Sequence, residues 1–234
     1  FSDALGHAAL LGLTAGLLLG IDPTLVLLPF AVLFAIGVHH LTRGSRLPTD
    51  ALLNILYSSS LALAVLVLSR IRSYAGGIEQ LLFGDILGVS WRDLGVILLL
   101  ALAVLSYLQL TSRSQILLSL DEGLALSRGV AADRHRLALL VVLAVVVAIS
   151  IKAMGVLLIS AFLVIPACAS RLVSSRFNHY VLLASLLGAG TAVLGLLISA
   201  GLNLPSGPCV VVTQLLSFLV AVGCASLGRG LQRT

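Results

Sequence analysis

Apolar runs long enough to cross a lipid bilayer follow one another along this chain, and this pattern leaves few folds open. A helix needs about 20 residues to span a hydrocarbon core of about 30 Å. About eight such runs are present, separated by polar connections. They cover residues 3–20, 24–41, 50–69, 92–110, 136–152, 155–170, 179–200 and 209–228. With 59% hydrophobic and 10% charged residues among 234, the chain is predicted to be an all-α, polytopic transmembrane helical bundle.

The basic residues indicate how the bundle is oriented. Loops on the cytoplasmic side of a membrane protein are rich in Lys and Arg. If the Phe1 end is cytoplasmic, ten of the 14 basic residues fall on the inner side. The four on the outer side are Arg70, Arg72, Arg92 and Lys152. We therefore predict a cytoplasmic C-terminus, and we attribute the net charge of +5 to this asymmetry rather than to a nucleic-acid partner.

Two ionisable residues, Asp3 and His7, lie within the first apolar run. Residues four apart share one face of a helix and lie about 6 Å apart along its axis. Ionisable groups at membrane depth usually serve function, and a carboxylate with an imidazole suits zinc or manganese better than calcium or magnesium. Asp3 and His7 are therefore predicted metal ligands. In the alternative interpretation, Ser2 or Asp3 caps the helix and His7 is a core residue.

Two connections and one proline predict departures from simple spanning helices. The fifth and sixth runs are separated only by residues 151–154, so at least one must be short or tilted. Pro166 is expected to kink or end the sixth. On the outer side, the amphipathic stretch 78–85 predicts an interfacial or re-entrant helix.

The longest inner connection, residues 111–136, mixes acidic, basic and apolar side chains. Residues 115–130 predict one or two short helices that are too polar to span a membrane. Such a surface is suited to binding another protein. A solvated loop with ordinary helix caps explains the charge pattern equally well.

Five stretches, in order, resemble the membrane permeases of bacterial zinc and manganese ABC importers. They are residues 2–8, residues 82–87, Asp121 and Glu122 with Ala125 and Gly129, residues 165–171, and residues 204–208. The resemblance implies one permease domain, residues 1–234, in the bacterial inner membrane, preceded in the family by a further N-terminal helix that this fragment lacks. It also implies a homodimer that contacts a cytoplasmic ATP-binding subunit and an extracytoplasmic metal-binding protein.

The resemblance assigns roles to particular residues. Asp3 and His7 match the family's metal-binding positions, and a two-fold axis along the pore would bring four ligands together. Residues 111–136 match the segment that couples the permease to the ATPase. Within it, the predicted coupling residues are Gln115, Asp121, Glu122, Gly123 and Gly129.

The sequence contains no G-x-x-x-x-G-K-[ST] phosphate loop and only one lysine, so ATP hydrolysis is expected on a separate subunit. The chain is therefore predicted to be a transport subunit, not an enzyme, whose cargo is Zn²⁺ or Mn²⁺. Residues 205–208 resemble those of zinc permeases, a resemblance that favours zinc slightly. Asn54 departs from a family glycine, and Ser58 stands where some zinc permeases have histidine, which weakens that preference.

Two other classes of protein compete with the importer. A secondary transporter would use Asp3 and His7 as a proton relay, because histidine titrates near neutral pH. Such a carrier does not need the polar inner segment, whereas an ATPase-driven permease does. An intramembrane hydrolase is not supported, because the sequence contains neither a Gly-x-Ser-x-Gly nor a His-Glu-x-x-His motif.

Overall fold

The computed structural model describes residues 1–70, 82, 84, 88–174 and 176–231, and these residues are helical apart from short connections. The described helices are α1 (Ser2–Leu19), α2 (Pro23–Gly44), α3 (Thr49–Leu68), α4 (Trp91–Leu120), α5 (Glu122–Ser127), α6 (Ala132–Val173), α7 (Phe177–Leu202) and α8 (Ser206–Leu231). No strand occurs among the residues described. The prediction of an all-α membrane protein is confirmed.

Seven of the described helices are long and apolar enough to cross a membrane, all except α5. The fifth and sixth predicted runs both lie in α6, whose 42 residues form two helical segments on either side of a kink at Gly155. At 1.5 Å per residue the two segments together have a contour length of about 63 Å, roughly twice a hydrocarbon core. The expected separation at residues 151–154 is instead one non-helical residue, Gly155, with φ 71° and ψ 171°.

The interruption at Gly155 follows from close packing. A Cβ atom at this position would lie 2.3 Å from the backbone nitrogen of Gly84 and 2.5 Å from the carbonyl oxygen of Leu82. Only glycine fits this space and readily adopts these angles. Pro166, by contrast, does not end the helix, which continues to Val173. Apart from Leu82 and Gly84, the interfacial helix predicted at 78–85 lies outside the described residues.

The chain forms two compact units. The first contains α1 to α5 and α6 up to Ala153, and the second contains α6 from Met154, α7, α8, Leu82 and Gly84.

In the first unit, α1 is the most buried of the seven candidate spans, with half of its residues buried. Small residues of α1 allow this burial. Helices α1 and α2 run antiparallel and are in close contact. A Cβ atom at Gly16 would lie 2.7 Å from the Cα atom of Pro23. At the other end of α1, Ala4 packs in a buried cluster with Val38 of α2 and Leu53 of α3. Helix α4 is the opposite extreme, because none of its 30 residues is buried.

In the second unit, α7 and α8 also pack closely and antiparallel. A Cβ atom at Gly195 of α7 would lie 2.6 Å from the Cα atom of Val210 of α8. One turn further along α8, the side chain of Gln214 is fully buried, and neither of its amide atoms has a hydrogen-bond partner in the described part of the chain. A buried amide without a partner destabilises the fold.

Candidate metal site

Helix α1 positions Asp3 and His7 without using either as a cap. The helix begins at Ser2, its N-cap residue is Phe1, and no side chain caps it. The alternative in which Ser2 or Asp3 caps α1 is therefore wrong for this structure. The side chain of His7 is 30% exposed and that of Asp3 is 59% exposed, so neither is a core residue.

The two side chains lie next to each other. The Nδ1 atom of His7 is 3.0 Å from the backbone carbonyl oxygen of Asp3 and 3.6 Å from its Oδ1 atom. A carbonyl oxygen only accepts hydrogen bonds, so the neutral imidazole is assigned the tautomer in which Nδ1–H donates to Asp3. That assignment leaves the lone pair of Nε2 free. A backbone hydrogen bond of this kind orients a histidine for metal binding.

The pair lies in the first two turns of α1, beside α3. The ring of His7 is 5.5 Å from the ring of Tyr57, centroid to centroid. Tyr57 follows the first residue of α3 by eight residues, or about 12 Å of helix. Beside the pair, Phe1, Phe34 and Tyr57 pack against the cluster of Ala4, Val38 and Leu53. An imidazole and a carboxylate are thus held next to an apolar cluster.

One chain leaves this site incomplete. The less buried positions in the first three turns of α1 include Asp3, His7, Leu10 and Leu11, whose spacing places them on one helix face. The described residues contain no group of three or more His, Cys, Asp or Glu side chains that could hold a metal ion. A structural zinc site requires four ligands. This face of α1 therefore presents two candidate ligands, fewer than such a site requires.

The predicted coupling segment, residues 111–136, combines three elements: the last residues of α4, all of α5 and the start of α6. Gln115 is not in a separate short helix, because α4 continues to Leu120. Its Nε2 atom donates to the backbone oxygen of His135 at 3.2 Å and to the hydroxyl of Tyr107 at 3.1 Å. Gln115 therefore joins α4 to α6.

Helix α5 lies between predicted coupling residues. The Asp121 side chain caps it by accepting from the backbone N–H of Leu124 at 3.0 Å. Glu122 and Gly123 form its first turn, and Gly129 follows it with a φ of 76°. The Oε2 atom of Glu122 pairs with Arg136 at 2.6 Å. The sequence prediction of a short helix here is confirmed for residues 122–127.

Ion pairs mark the two ends of the first unit. At the end that carries the coupling segment, Arg43 of α2 pairs with Asp133 of α6 at 2.9 Å. At the other end, Lys152 of α6 pairs with Asp93 of α4 at 2.6 Å. Near Lys152, Asp22 accepts hydrogen bonds from the hydroxyl and backbone N–H of Thr24, which lower the pKa of its carboxyl. Both ends of the unit are therefore charged.

Sequence reasoning did not identify several residues around these sites. Two contacts join residues that are far apart in the sequence: Tyr57 with His7, and Arg43 with Asp133. Only the helix packing brings these residues together. For Tyr57, the only signal in the sequence was a tyrosine within an apolar run. Seven candidate spans, with a carboxylate and an imidazole side by side on one of them and a charged segment at one end, favour a multi-pass membrane transport protein.

Comparison with known proteins narrows this class. Residues 1–225 match the ABC 3 transport family, and the chain belongs to that family. It is a membrane permease, a transport component rather than an enzyme. The family is one of ABC transporters, so neither the secondary transporter nor the intramembrane hydrolase is supported.

Named relatives agree with the resemblance drawn from the sequence. The chain is 31% identical over 231 residues to the manganese import system permease protein ScaB of Streptococcus gordonii, covering 99% of this chain and 83% of the relative. It is 29% identical over 222 residues to the high-affinity zinc uptake system membrane protein ZnuB of Haemophilus influenzae, covering 95% of this chain and 85% of that relative. The solved structure of PsaBC from Streptococcus pneumoniae in complex with Fab matches with a TM-score of 0.79 and 29% identity, over 94% of this chain and 79% of that one.

Proposed function

We propose that this chain carries a divalent metal ion through the bacterial inner membrane as the permease of an ABC importer, and that Asp3 and His7 bind the ion in transit. The observation that carries this proposal is the hydrogen bond from His7 Nδ1 to the Asp3 carbonyl oxygen. It leaves Nε2 free beside an exposed carboxylate, on the open face of the most buried candidate span. The names of the relatives support metal as the cargo.

The donor set suits a borderline metal ion. One imidazole nitrogen and one carboxylate are ligands for both zinc and manganese. Relatives named for each metal match this chain to similar extents. The affinity of a mixed nitrogen and oxygen site is higher for zinc than for manganese, so we favour zinc slightly. Selectivity for manganese would then depend on the geometry of the site or on the protein that delivers the metal.

In this proposal the permease acts as a homodimer. One chain offers two ligands on an open face of α1, and a second copy across a two-fold axis would offer two more. Four ligands suffice for a tetrahedral site. The open face of α1, including Leu10 and Leu11, then lines the contact or the pore between the two copies.

The remaining partners bind at opposite ends. Residues 1–234 act as one permease domain, whose coupling segment, residues 111–136, binds a cytoplasmic ATP-binding subunit that hydrolyses ATP. An extracytoplasmic metal-binding protein delivers the ion at the other side. The charge distribution supports this orientation, because ten of the 14 basic residues fall on the side that carries the coupling segment and four on the other. The C-terminus is then cytoplasmic.

Metal uptake by ligand variants tests the proposal. We expect Asp3→Ala and His7→Ala each to reduce ATP-driven uptake of zinc or manganese to background, because each removes one of the two ligands that a chain supplies. Both variants should still insert into the membrane and bind the ATP-binding subunit, since neither side chain is buried.

Asp50→Asn is the matched control. It also removes one carboxylate charge, but from an exposed position in the first turn of α3. Uptake by this control should stay near the wild-type level. Wild-type uptake by either Asp3→Ala or His7→Ala would refute the assignment of the site.

A further inference from the structure

The start of α6 is tied on two sides by ion pairs. Asp133 and Arg136 are three residues apart in its first two turns, so they lie on neighbouring positions of the helix surface. Arg136 Nη2 lies 2.6 Å from the Oε2 atom of Glu122 in α5. Asp133 Oδ2 lies 2.9 Å from the Nη2 atom of Arg43 in α2. The coupling helix α5 is thus connected through α6 to the end of α2.

These pairs contribute little to the stability of the fold. The four side chains are between 47% and 58% exposed, and ion pairs in water are weak. Their positions at helix ends are nevertheless specific. Arg43 lies in the last turn of α2, and Asp133 and Glu122 lie in the first turns of their helices, where each charge complements the helix dipole. The pairs therefore fix how the helix ends meet.

Helix α2 extends this connection to the metal site. Val38 precedes Arg43 by five residues, or about 7.5 Å of helix, and packs in the buried cluster with Ala4 of α1. Ala4 is the neighbour of Asp3 in the sequence. Closely packed groups of this kind transmit displacement because they do not compress. A movement of the end of α2 therefore acts on the turn of α1 that carries the proposed ligands.

We propose that the pair of Arg43 and Asp133 transmits movement of the coupling segment to the metal site. The inference rests on the proposed function. When the ATP-binding subunit moves α5, Glu122 and Arg136 displace the start of α6, and Asp133 and Arg43 pass the displacement to α2 and so to α1. Arg43 and Asp133 are positioning residues: neither contacts the metal site, and Asp133, although it lies within residues 111–136, belongs to α6 and not to α5.

Charge reversal tests this relay in the complete importer. Permease, ATP-binding subunit and metal-binding protein are reconstituted in liposomes, and zinc or manganese uptake is measured per ATP hydrolysed. Arg43→Glu and Asp133→Arg each place like charges together, and each should lower that ratio at least about fivefold, the lower range of coupling between two sites. ATP hydrolysis should continue, and equilibrium binding of the same metal ion should be unchanged.

The double variant R43E with D133R restores an opposite-charge pair and should recover most of the wild-type ratio. Lys152→Gln is the matched control, because it breaks an ion pair at the end of the first unit away from the coupling segment, and its ratio should be unchanged.

Three results would overturn the relay, and a fourth would refute the proposed function. A wild-type ratio in both single variants would overturn the relay, and so would failure of the double variant to recover, because the two residues would then act separately. A fivefold lower ratio in Lys152→Gln would also overturn it, since the loss of any ion pair in the unit would then lower the uptake per ATP hydrolysed. Absence of ATP-driven uptake of either metal by the wild-type importer would instead refute the proposed function.

Discussion

Replacing Gly155 by alanine tests the close packing that interrupts α6. The backbone at Gly155 has a φ of 71°, which side chains other than glycine rarely adopt. An alanine Cβ atom would lie 2.3 Å from Gly84 N, 2.5 Å from Leu82 O and 2.6 Å from Leu82 C. All three are backbone atoms, so no side-chain rotation relieves the clash. We expect Gly155→Ala to displace residues 82 and 84 from α6.

The size of the effect follows from two terms. A non-glycine residue in a sparsely populated region of backbone conformation costs about 1–3 kcal/mol. Overpacking a well-filled site costs about 1–3 kcal/mol more. The sum, about 2–6 kcal/mol, is a large part of the total stability of a folded protein, which is about 5–15 kcal/mol. For a chain of this length, 1 kcal/mol shifts the Tm by about 2–4 °C.

Thermal unfolding of the purified permease in detergent measures this prediction. The Tm of Gly155→Ala should fall by at least about 4 °C. Gly190→Ala is the matched control in the same unit, because a Cβ atom at this position of α7 meets nothing within 4 Å. That substitution should leave the Tm unchanged or raise it, since alanine favours helix over glycine by about 0.5–1 kcal/mol. A Tm of Gly155→Ala equal to that of Gly190→Ala would refute the packing argument.

Two further predictions concern buried polarity and helix capping. Gln214→Leu should raise the Tm or leave it unchanged, because it removes two unpartnered buried amide atoms whose burial costs about 1–3 kcal/mol. A lower Tm would mean that the amide has a partner in the folded protein. Asp121→Ala removes the cap of α5 and should destabilise that helix by about 1 kcal/mol, seen as faster amide hydrogen exchange at residues 122–127. Exchange at the wild-type rate would show that the cap does not hold α5.

Apolar runs predicted the helices well because the bilayer demands them, but they did not predict where the helices end. The fourth run was expected to stop at residue 110, whereas α4 continues to Leu120. Polar residues mark where a chain leaves the hydrocarbon core, and they do not by themselves stop a helix. Thr111, for example, bonds its hydroxyl to the carbonyl oxygen of Tyr107 one turn earlier and stays helical.

Features that depend on distant parts of the chain could not be predicted from local patterns. The sequence predicted a separation at residues 151–154 and a disturbance at Pro166, but it did not identify Gly155 as the point of interruption, because residues 82 and 84 occupy the adjacent space only in the folded chain. The proximity of Asp3 and His7 could be predicted because four-residue spacing is local. Arg43 and Asp133 are 90 residues apart, and neither belongs to a motif, so only the folded chain reveals their contact.

Helices α1 and α4 place opposite demands on their own sequences. The closely packed positions of α1 are restricted in volume, as Gly16 against Pro23 illustrates. Helix α4 buries none of its residues in this chain, so at its exposed apolar positions one apolar side chain serves as well as another. Over evolutionary time these positions of α4 are free to drift among leucine, isoleucine, valine and alanine, while the packed face of α1 is held close to its present sequence. Divergence between members of this family should therefore accumulate in α4 and spare α1.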